Sequence, residues 1–431
     1  VRAALLLALA ALAISACGGG DAEPKAPRVV ILGIDGFDWN IVDPLIAQGR
    51  MPVMKELLAR GTRADLLTLV PLEKSPVIWT TIATGKLPAE KGRGFFVEGH
   101  DGRPEIYTAW HRRSRALWNI LSERGLTVSV LGWLETWPAE TVSGSIVSDY
   151  VQYDSAEWEK QGHIEHRTYP DSLELVVDPL IVRPKDLTEE DLLQFIDLDS
   201  LPQPLPPYWP VAVEALRWIY AGDLTFTALG CEFLERRPED VVAIYLRGPD
   251  AVCHYFWGDR ENREKGVGNE ERVRIFGGTV DHYYEETDRL IGLLLERIDL
   301  ERTTLFLISD HGFQGARRAL DGSLRLGVWM HRELGTALIT GPFAAGKGLR
   351  AEGLRVQDIL PTLLHALGLP VADDMDGDVA FGLLGESGGR DREVARIPTY
   401  ETGERDLPAA DVPADVAEEI AERVRSLGYV E

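Results

Sequence analysis

This sequence predicts an α/β fold: a mostly parallel central sheet, helices on both of its faces, and an inserted cap. Three observations predict it. Four short runs are apolar throughout and rich in β-branched residues, Val29–Ile34, Val241–Leu246, Thr303–Ile308 and Thr336–Thr340, as in strands buried on both faces. Helical patterns lie between them, and alternation of strand and helix implies a parallel sheet covered on both sides. Three of the runs lead to an aspartate at or just beyond the carboxyl end, Asp35, Asp250 and Asp310. In open α/β sheets the ligand crevice lies at that edge.

Residues 1–17 precede the fold. Arg2 leads an apolar run from Ala3 to Ala13, and Ile14-Ser15-Ala16-Cys17 closes it. The run falls short of the roughly 20 residues that span a bilayer. It reads as a secretory signal, and its end resembles the bacterial lipobox, in which the cysteine, here Cys17, becomes lipidated. Residues 18–27, opening on Gly18-Gly19-Gly20, read as a flexible tether. The main domain is expected over 28–385. Within it Pro52 opens a helix ending near Gly61, Ser114–Arg124 reads as a helix closing at Gly125, Val128–Leu131 as a further strand and Val280–Ile298 as a long amphipathic helix. From about 150 to 210 the pattern weakens, with acidic clusters and prolines at Pro170, Pro179, Pro184, Pro202, Pro204, Pro206 and Pro207. This stretch reads as a cap over the crevice, with Trp158, Tyr208 and Trp209 as stacking or core residues. Residues 386–431 form a tail in which Asp411–Glu431 reads as an acidic amphipathic helix.

Composition narrows the function. The chain has 431 residues, 45% hydrophobic and 26% charged, which suits a globular protein with a large core. Its 69 acidic residues outnumber 45 basic ones, a formal net charge of −24. With no basic stripe to offset that charge, no nucleic-acid-binding surface is expected. Beyond Cys17 only Cys231 and Cys253 remain. That count excludes a disulfide scaffold, and both read as unpaired thiols. Together with the signal, this describes an exported bacterial lipoprotein of the cell envelope, on the periplasmic side of a membrane or at the cell surface, that meets the membrane through its lipid anchor alone.

Ser75-Pro76 followed by apolar residues as far as Gly85 predicts a short helix with Ser75 at the N-cap and Pro76 at the first helical position. There the orphan N–H groups and the helix dipole favour an anion, so the serine could attack phosphorus while the helix terminus holds a phosphoryl oxygen. Taken alone, a serine in that place is more often a simple cap. Thr80, Thr81 and Thr84 lie inside the helix or at its far end, away from its positive terminus. Asp250 and His254 are four apart, and on a helix they share one side, where both can reach one cation. Asp310-His311-Gly312 brings a charged pair to a buried strand end, where it needs compensation, and His331 closely precedes the next strand. With Asp35 these residues form an oxygen and imidazole ligand set without thiolate, suited to divalent ions such as zinc or manganese. The histidines at His100, His111, His163, His166, His282 and His365 read as surface or core residues.

The ordered series Asp35, Ser75, Asp250 with His254, Asp310 with His311, and His331 resembles the alkaline phosphatase superfamily, and within it the type I phosphodiesterase/nucleotide pyrophosphatase branch. Thr84-Gly85 followed by Pro88, Ser309-Asp310-His311-Gly312, Gly341-Pro342 and Asp358-Ile359-Leu360-Pro361-Thr362 support it, and the likeness runs from about Val29 to Val379. The resemblance implies a phosphate-ester hydrolase, diesters favoured over monoesters, acting on a small-molecule or lipid phosphate ester. It implies two divalent metal ions: Asp250, His254 and His331 on one, Asp35, Asp310 and His311 on the other, and the oxygen of the nucleophile Ser75 joining them. Nucleotide-cleaving relatives usually carry threonine at the nucleophile and a phosphate-binding asparagine three residues on. Here Ser75 and Ile78 stand in those places, which argues against nucleotide pyrophosphatase activity or shifts the phosphate-donor role to another group. Sulfatases on the same scaffold resemble C/S-x-P-x-R, and Ser75-Pro76-Val77-Ile78-Trp79 has neither the proline nor the arginine in place. The remaining alternatives are a phosphoglycerol or phosphoethanolamine transferase and a non-catalytic envelope lipoprotein that binds through its cap.

Overall fold

The computed structural model describes residues 28–88, 96–98, 104–106, 108–153, 164–196, 209–315, 317–318, 324–325, 330–403 and 405–409. Cys17, the tether, Trp158, Tyr208 and the predicted helix Asp411–Glu431 lie outside them.

Nine strands make the central sheet. In chain order they are β1 (Val29–Ile34), β2 (Thr62–Leu67), β3 (Val128–Leu131), β4 (Gly144–Val147), β5 (Thr168–Tyr169), β6 (Val241–Leu246), β7 (Thr304–Ile308), β8 (Leu334–Thr340) and β9 (Leu349–Arg355). Their order across the sheet is β9-β2-β8-β7-β1-β6-β3-β4-β5. The helices that matter here are α1 (Trp39–Ala47), α2 (Pro52–Arg60), α3 (Ser75–Thr84), α4 (Leu117–Glu123), α5 (Trp209–Arg236), α6 (Gly248–Lys265), α7 (Glu270–Phe276), α8 (Thr279–Leu295) and α9 (Ile359–Leu367).

Strand β1 explains the layering. All six of its residues are buried, and successive side chains on a strand point to opposite faces. Val30, Leu32 and Ile34 enter one hydrophobic cluster with residues of α1, α2, α5, α6 and α8. Val29 and Ile31 enter the other, with residues of α3, α4 and α9. A strand packed on both faces has no room for a polar alternation, which is why the sequence runs were apolar throughout.

Registry then fixes the edge where chemistry gathers. Parallel pairing sets Ile34 beside Leu246 and Gly33 beside Ile308, so the chain leaves β1, β6 and β7 side by side. The predicted parallel direction does not extend to Thr336–Thr340. Strand β8 pairs antiparallel with both β7 and β2, so it begins where its neighbours end, and its first residue Leu334 lies opposite Leu67. The segments leaving β2 toward Ser75 and entering β8 after His331 therefore meet the ends of β1, β6 and β7.

The predicted helix at Ser114–Arg124 is shorter, Leu117–Glu123. Of the 150–210 stretch, the described part supplies the edge strand β5 and then a string of single-turn helices, and Leu173, Val177, Leu187, Leu192 and Phe195 from it join the same cluster as α5 and α8. Trp209 is a core residue of that cluster, 6.0 Å from Phe276 between ring centres. In the tail, Arg396–Ile397 pairs with Val371–Ala372 and Tyr400 is buried. Cys231 and Cys253 are buried free thiols. Among the described residues no helix is long and apolar enough to cross a membrane.

Candidate metal centre

All seven residues singled out from the sequence meet at that edge, and their side chains are buried but for a few per cent. Asp35 follows β1 directly, and its N–H donates to Leu246 O at 2.9 Å. Gly36 comes next with φ +64°, and a Cβ there would stand 2.8 Å from the Asp250 Cα. Only glycine both adopts this turn and lets the two ligand-bearing segments approach so closely. The Asp250 N–H in turn donates to Asp35 O at 3.1 Å.

Ser75 stands between the carboxylates and the imidazoles. Its Oγ lies 3.3 Å from Asp35 Oδ1 and 3.2 Å from His311 Nε2. The predicted cap is displaced by one residue: Lys74 is the N-cap, Ser75 is the first helical residue, and no side-chain capping bond forms. The hydroxyl turns into the site because Asp35 and His311 engage it there. Its rivals are spent elsewhere, Thr81 on Val77 O, Thr84 on Thr80 O and Thr80 on Glu135.

One trio comprises Asp35, Asp310 and His311. His311 Nε2 lies 3.3 Å from Asp35 Oδ1 and 3.4 Å from Asp310 Oδ2. The outer atoms of these groups are tied back. His311 Nδ1 meets Gly312 O at 3.0 Å, Asp310 Oδ1 accepts from Gly36 N–H at 3.3 Å, and Asp35 Oδ2 accepts from the Tyr245 hydroxyl. A carbonyl partner makes Nδ1 a donor and leaves Nε2 as the ring atom that faces the centre.

The other trio comprises Asp250, His254 and His331. His254 Nε2 is 3.3 Å from Asp250 Oδ1 and 3.2 Å from His331 Nε2, and His331 Nε2 is 3.5 Å from Asp250 Oδ1. As predicted, Asp250 and His254 share one side of a helix, α6. His331 arrives on a two-residue ribbon in which Gly312–Phe313 pairs antiparallel with His331–Arg332. The ribbon stacks the His311 and His331 rings 3.6 Å apart. His311 Nε2 is also 3.8 Å from Asp250 Oδ1, so it borders both trios.

The electrostatics are those of carboxylates crowded together out of water. Burial acts to lower His311, but Asp310, Asp35 and Asp250 outweigh it and push the imidazole up to about 10. Burial and the neighbouring Asp35 carboxylate raise Asp310 well above the usual carboxylate range. Burial, with His311 and His254 adding like charge, holds His331 well below an ordinary histidine. Asp310 Oδ2 is sealed from solvent with no hydrogen-bond donor on it among the described residues. A buried carboxylate oxygen in that state is satisfied by a proton or by a cation, and oxygen with imidazole nitrogen is a donor set that divalent zinc or manganese accepts.

Three supporting residues were not read from the sequence. Tyr245 looked like one more apolar strand residue. Asp38 is buried, caps α1 through Asn40 N–H, accepts from Phe313 N–H at 2.9 Å and pairs with Arg332. It thereby pins the His331 ribbon to the turn after β1. Its place three residues after Asp35, just before an apolar helix, was a readable capping signal; its bond to Arg332 was not.

Fold and site together define a member of the alkaline phosphatase superfamily. The chain belongs to the type I phosphodiesterase/nucleotide pyrophosphatase family, which matches residues 29–359. Several solved structures are similar to this chain. A putative sulfatase from Bacteroides thetaiotaomicron superposes with a TM-score of 0.52 at 14% identity, covering 86% of this chain and 76% of that one. Human ectonucleotide pyrophosphatase/phosphodiesterase 5 gives 0.47 at 12% identity, covering 82% and 97%. Phosphonoacetate hydrolase from Sinorhizobium meliloti gives 0.41 at 17% identity, covering 70% of this chain and 60% of that one, so this chain spans about three-fifths of that hydrolase. At 14% identity the likeness to the putative sulfatase is one of fold alone. No curated protein matches the chain in sequence.

Proposed function

We propose that this protein hydrolyses phosphate esters, diesters ahead of monoesters, with Ser75 as nucleophile between two divalent cations, zinc or manganese. The observation that carries the reading is the Ser75 hydroxyl, 3.3 Å from Asp35 Oδ1 and 3.2 Å from His311 Nε2 instead of capping its own helix. Asp250, His254 and His331 would hold one cation and Asp35, Asp310 and His311 the other. Bound there, the cations would neutralise phosphoryl charge and favour the serine alkoxide. The chain's own groups do the rest. Asp35 Oδ1 and His311 Nε2 orient Ser75 Oγ, and the positive end of the α3 dipole beside it favours the phosphoryl charge. The Ser75 proton passes to water, Oγ bonds to phosphorus as the ester oxygen departs in line, and the departing oxygen takes a proton from water. Water next attacks the phosphoserine and restores the hydroxyl. Positioning and charge neutralisation suffice for such a transfer.

The preference for diesters follows the family's own description. Sulfatase chemistry is disfavoured because the segment after Ser75 lacks the residues that a sulfatase nucleophile motif needs. The reading also keeps the protein at the cell envelope, held by Cys17, on the strength of residues 1–17. The test is Ser75→Ala. Turnover of a chromogenic diester should fall by about 10³-fold or more with the melting temperature unchanged, and acid-quenched wild type should carry on Ser75 the substrate's phosphoryl group with its remaining ester. Full activity in the alanine variant would falsify the nucleophile assignment.

A further inference from the structure

Each member of the Asp35, Asp310 and His311 trio has an outer atom tied down, but not by the same kind of partner. Asp310 Oδ1 and His311 Nδ1 are held by backbone, Gly36 N–H and Gly312 O. Asp35 Oδ2 is held by a side chain, the Tyr245 hydroxyl. Tyr245 is 2% exposed and sits in β6, next to β1. Its ring packs edge-on against Trp79 at 5.1 Å, and Trp79 packs edge-on against Trp133 at 5.0 Å. Trp79 lies one turn along α3 from Ser75 and fits there because Gly33 of β1 has no Cβ, which would stand 2.8 Å from the indole. The phenol is thus fixed by its strand and by the nucleophile's helix, with its hydroxyl on the carboxylate.

We propose that Tyr245 is a positioning residue for the Asp35 half of the centre. Its hydroxyl occupies Oδ2, so Asp35 presents one oxygen, Oδ1, to Ser75 and His311 and cannot close on a cation with both. The inference rests on the reading of Asp35 as a cation ligand. Without the hydroxyl the carboxylate is free to rotate, and Oδ2 loses its donor in a site closed to water. Outer partners of this kind set ligand orientation, and their loss typically costs about 10–100-fold in metal affinity or activity.

Tyr245→Phe removes the O–H and keeps the ring. Metal-free protein titrated with zinc against a chromogenic chelator should show two sites in the wild type. In the variant one site should weaken by about 10–100-fold and the other stay unchanged. The kcat on a chromogenic diester should fall by a similar factor, with KM within about twofold. Because the hydroxyl acts through Asp35, adding Tyr245→Phe to Asp35→Asn should cost little further zinc affinity. Wild-type zinc affinity and kcat in Tyr245→Phe, or losses that add in the double variant, would overturn the inference. Wild type that takes up no zinc would instead remove the proposed function, and this inference with it.

Discussion

The two halves of the centre are built differently. Asp35, Asp310 and His311 stand where β1 and β7 end, on strands buried across both faces, and two of their outer atoms are tied to backbone. Asp250, His254 and His331 ride on the first turns of α6 and on a two-residue ribbon tied to the turn after β1 through Asp38, which pairs with Arg332 and accepts from Phe313 N–H. The sheet half inherits the rigidity of the core, whereas the ribbon half depends on a few side chains. A site assembled this way should respond unequally to damage.

The largest asymmetry is expected between Asp310→Ala and His254→Ala. Without Asp310, its trio keeps only Asp35 and His311. Without His254, Asp250 and His331 still have His311 within reach, 3.8 Å from Asp250 Oδ1. Diester turnover should therefore fall by roughly 10³-fold or more in Asp310→Ala and about 10–100-fold in His254→Ala. Equal losses would dissolve the distinction between the halves.

Arg332→Ala should come next. It leaves the fully buried Asp38 without its ion partner and frees the ribbon. A partner 25% exposed makes the cost about 2–3 kcal/mol, below that of a wholly buried pair. Urea denaturation would read that cost, and zinc titration should show weakening confined to the His331 trio. An unchanged midpoint and unchanged zinc affinity would show that the ribbon needs no such anchor.

The last effect, visible only as the pH changes, concerns the seat of α6. Asp223 on α5 accepts from Arg247 N–H and Gly248 N–H at 3.0 Å each, and from Tyr283. Burial nevertheless pushes its carboxyl up to about 6, against the lowering effect of those donors. A folded pKa above the unfolded one means that the native state binds the extra proton between about pH 4 and 6. The destabilisation from charged Asp223 is therefore fully present above pH 6 and relieved as the pH falls below it. Relative to Asp223→Asn, the wild type should gain up to about 3 kcal/mol between pH 7 and pH 4. A difference flat in pH would contradict this account of the helix seat.

The same contrast explains what was legible in the sequence. Strands β1, β6 and β7 announced themselves because burial on both faces leaves nothing but apolar residues. The ligands that follow them were readable because a charge at a buried strand end stands out. The direction of β8 was not, since it depends on the path by which the chain returns, and Thr336–Thr340 reads alike both ways. Nor was the one-residue shift at Ser75, because the bonds that draw its hydroxyl away from the cap come from 40 and 236 residues distant. Tyr245 meets Asp35 across 210 residues and Arg332 meets Asp38 across 294. Local pattern carries no trace of such pairs.

The most direct test is anomalous diffraction from crystals grown with zinc. Two peaks about 4 Å apart are expected, one within the Asp35, Asp310 and His311 trio and one within the Asp250, His254 and His331 trio, both within reach of Ser75 Oγ. A single peak, or peaks only at positions remote from Ser75, would contradict the account.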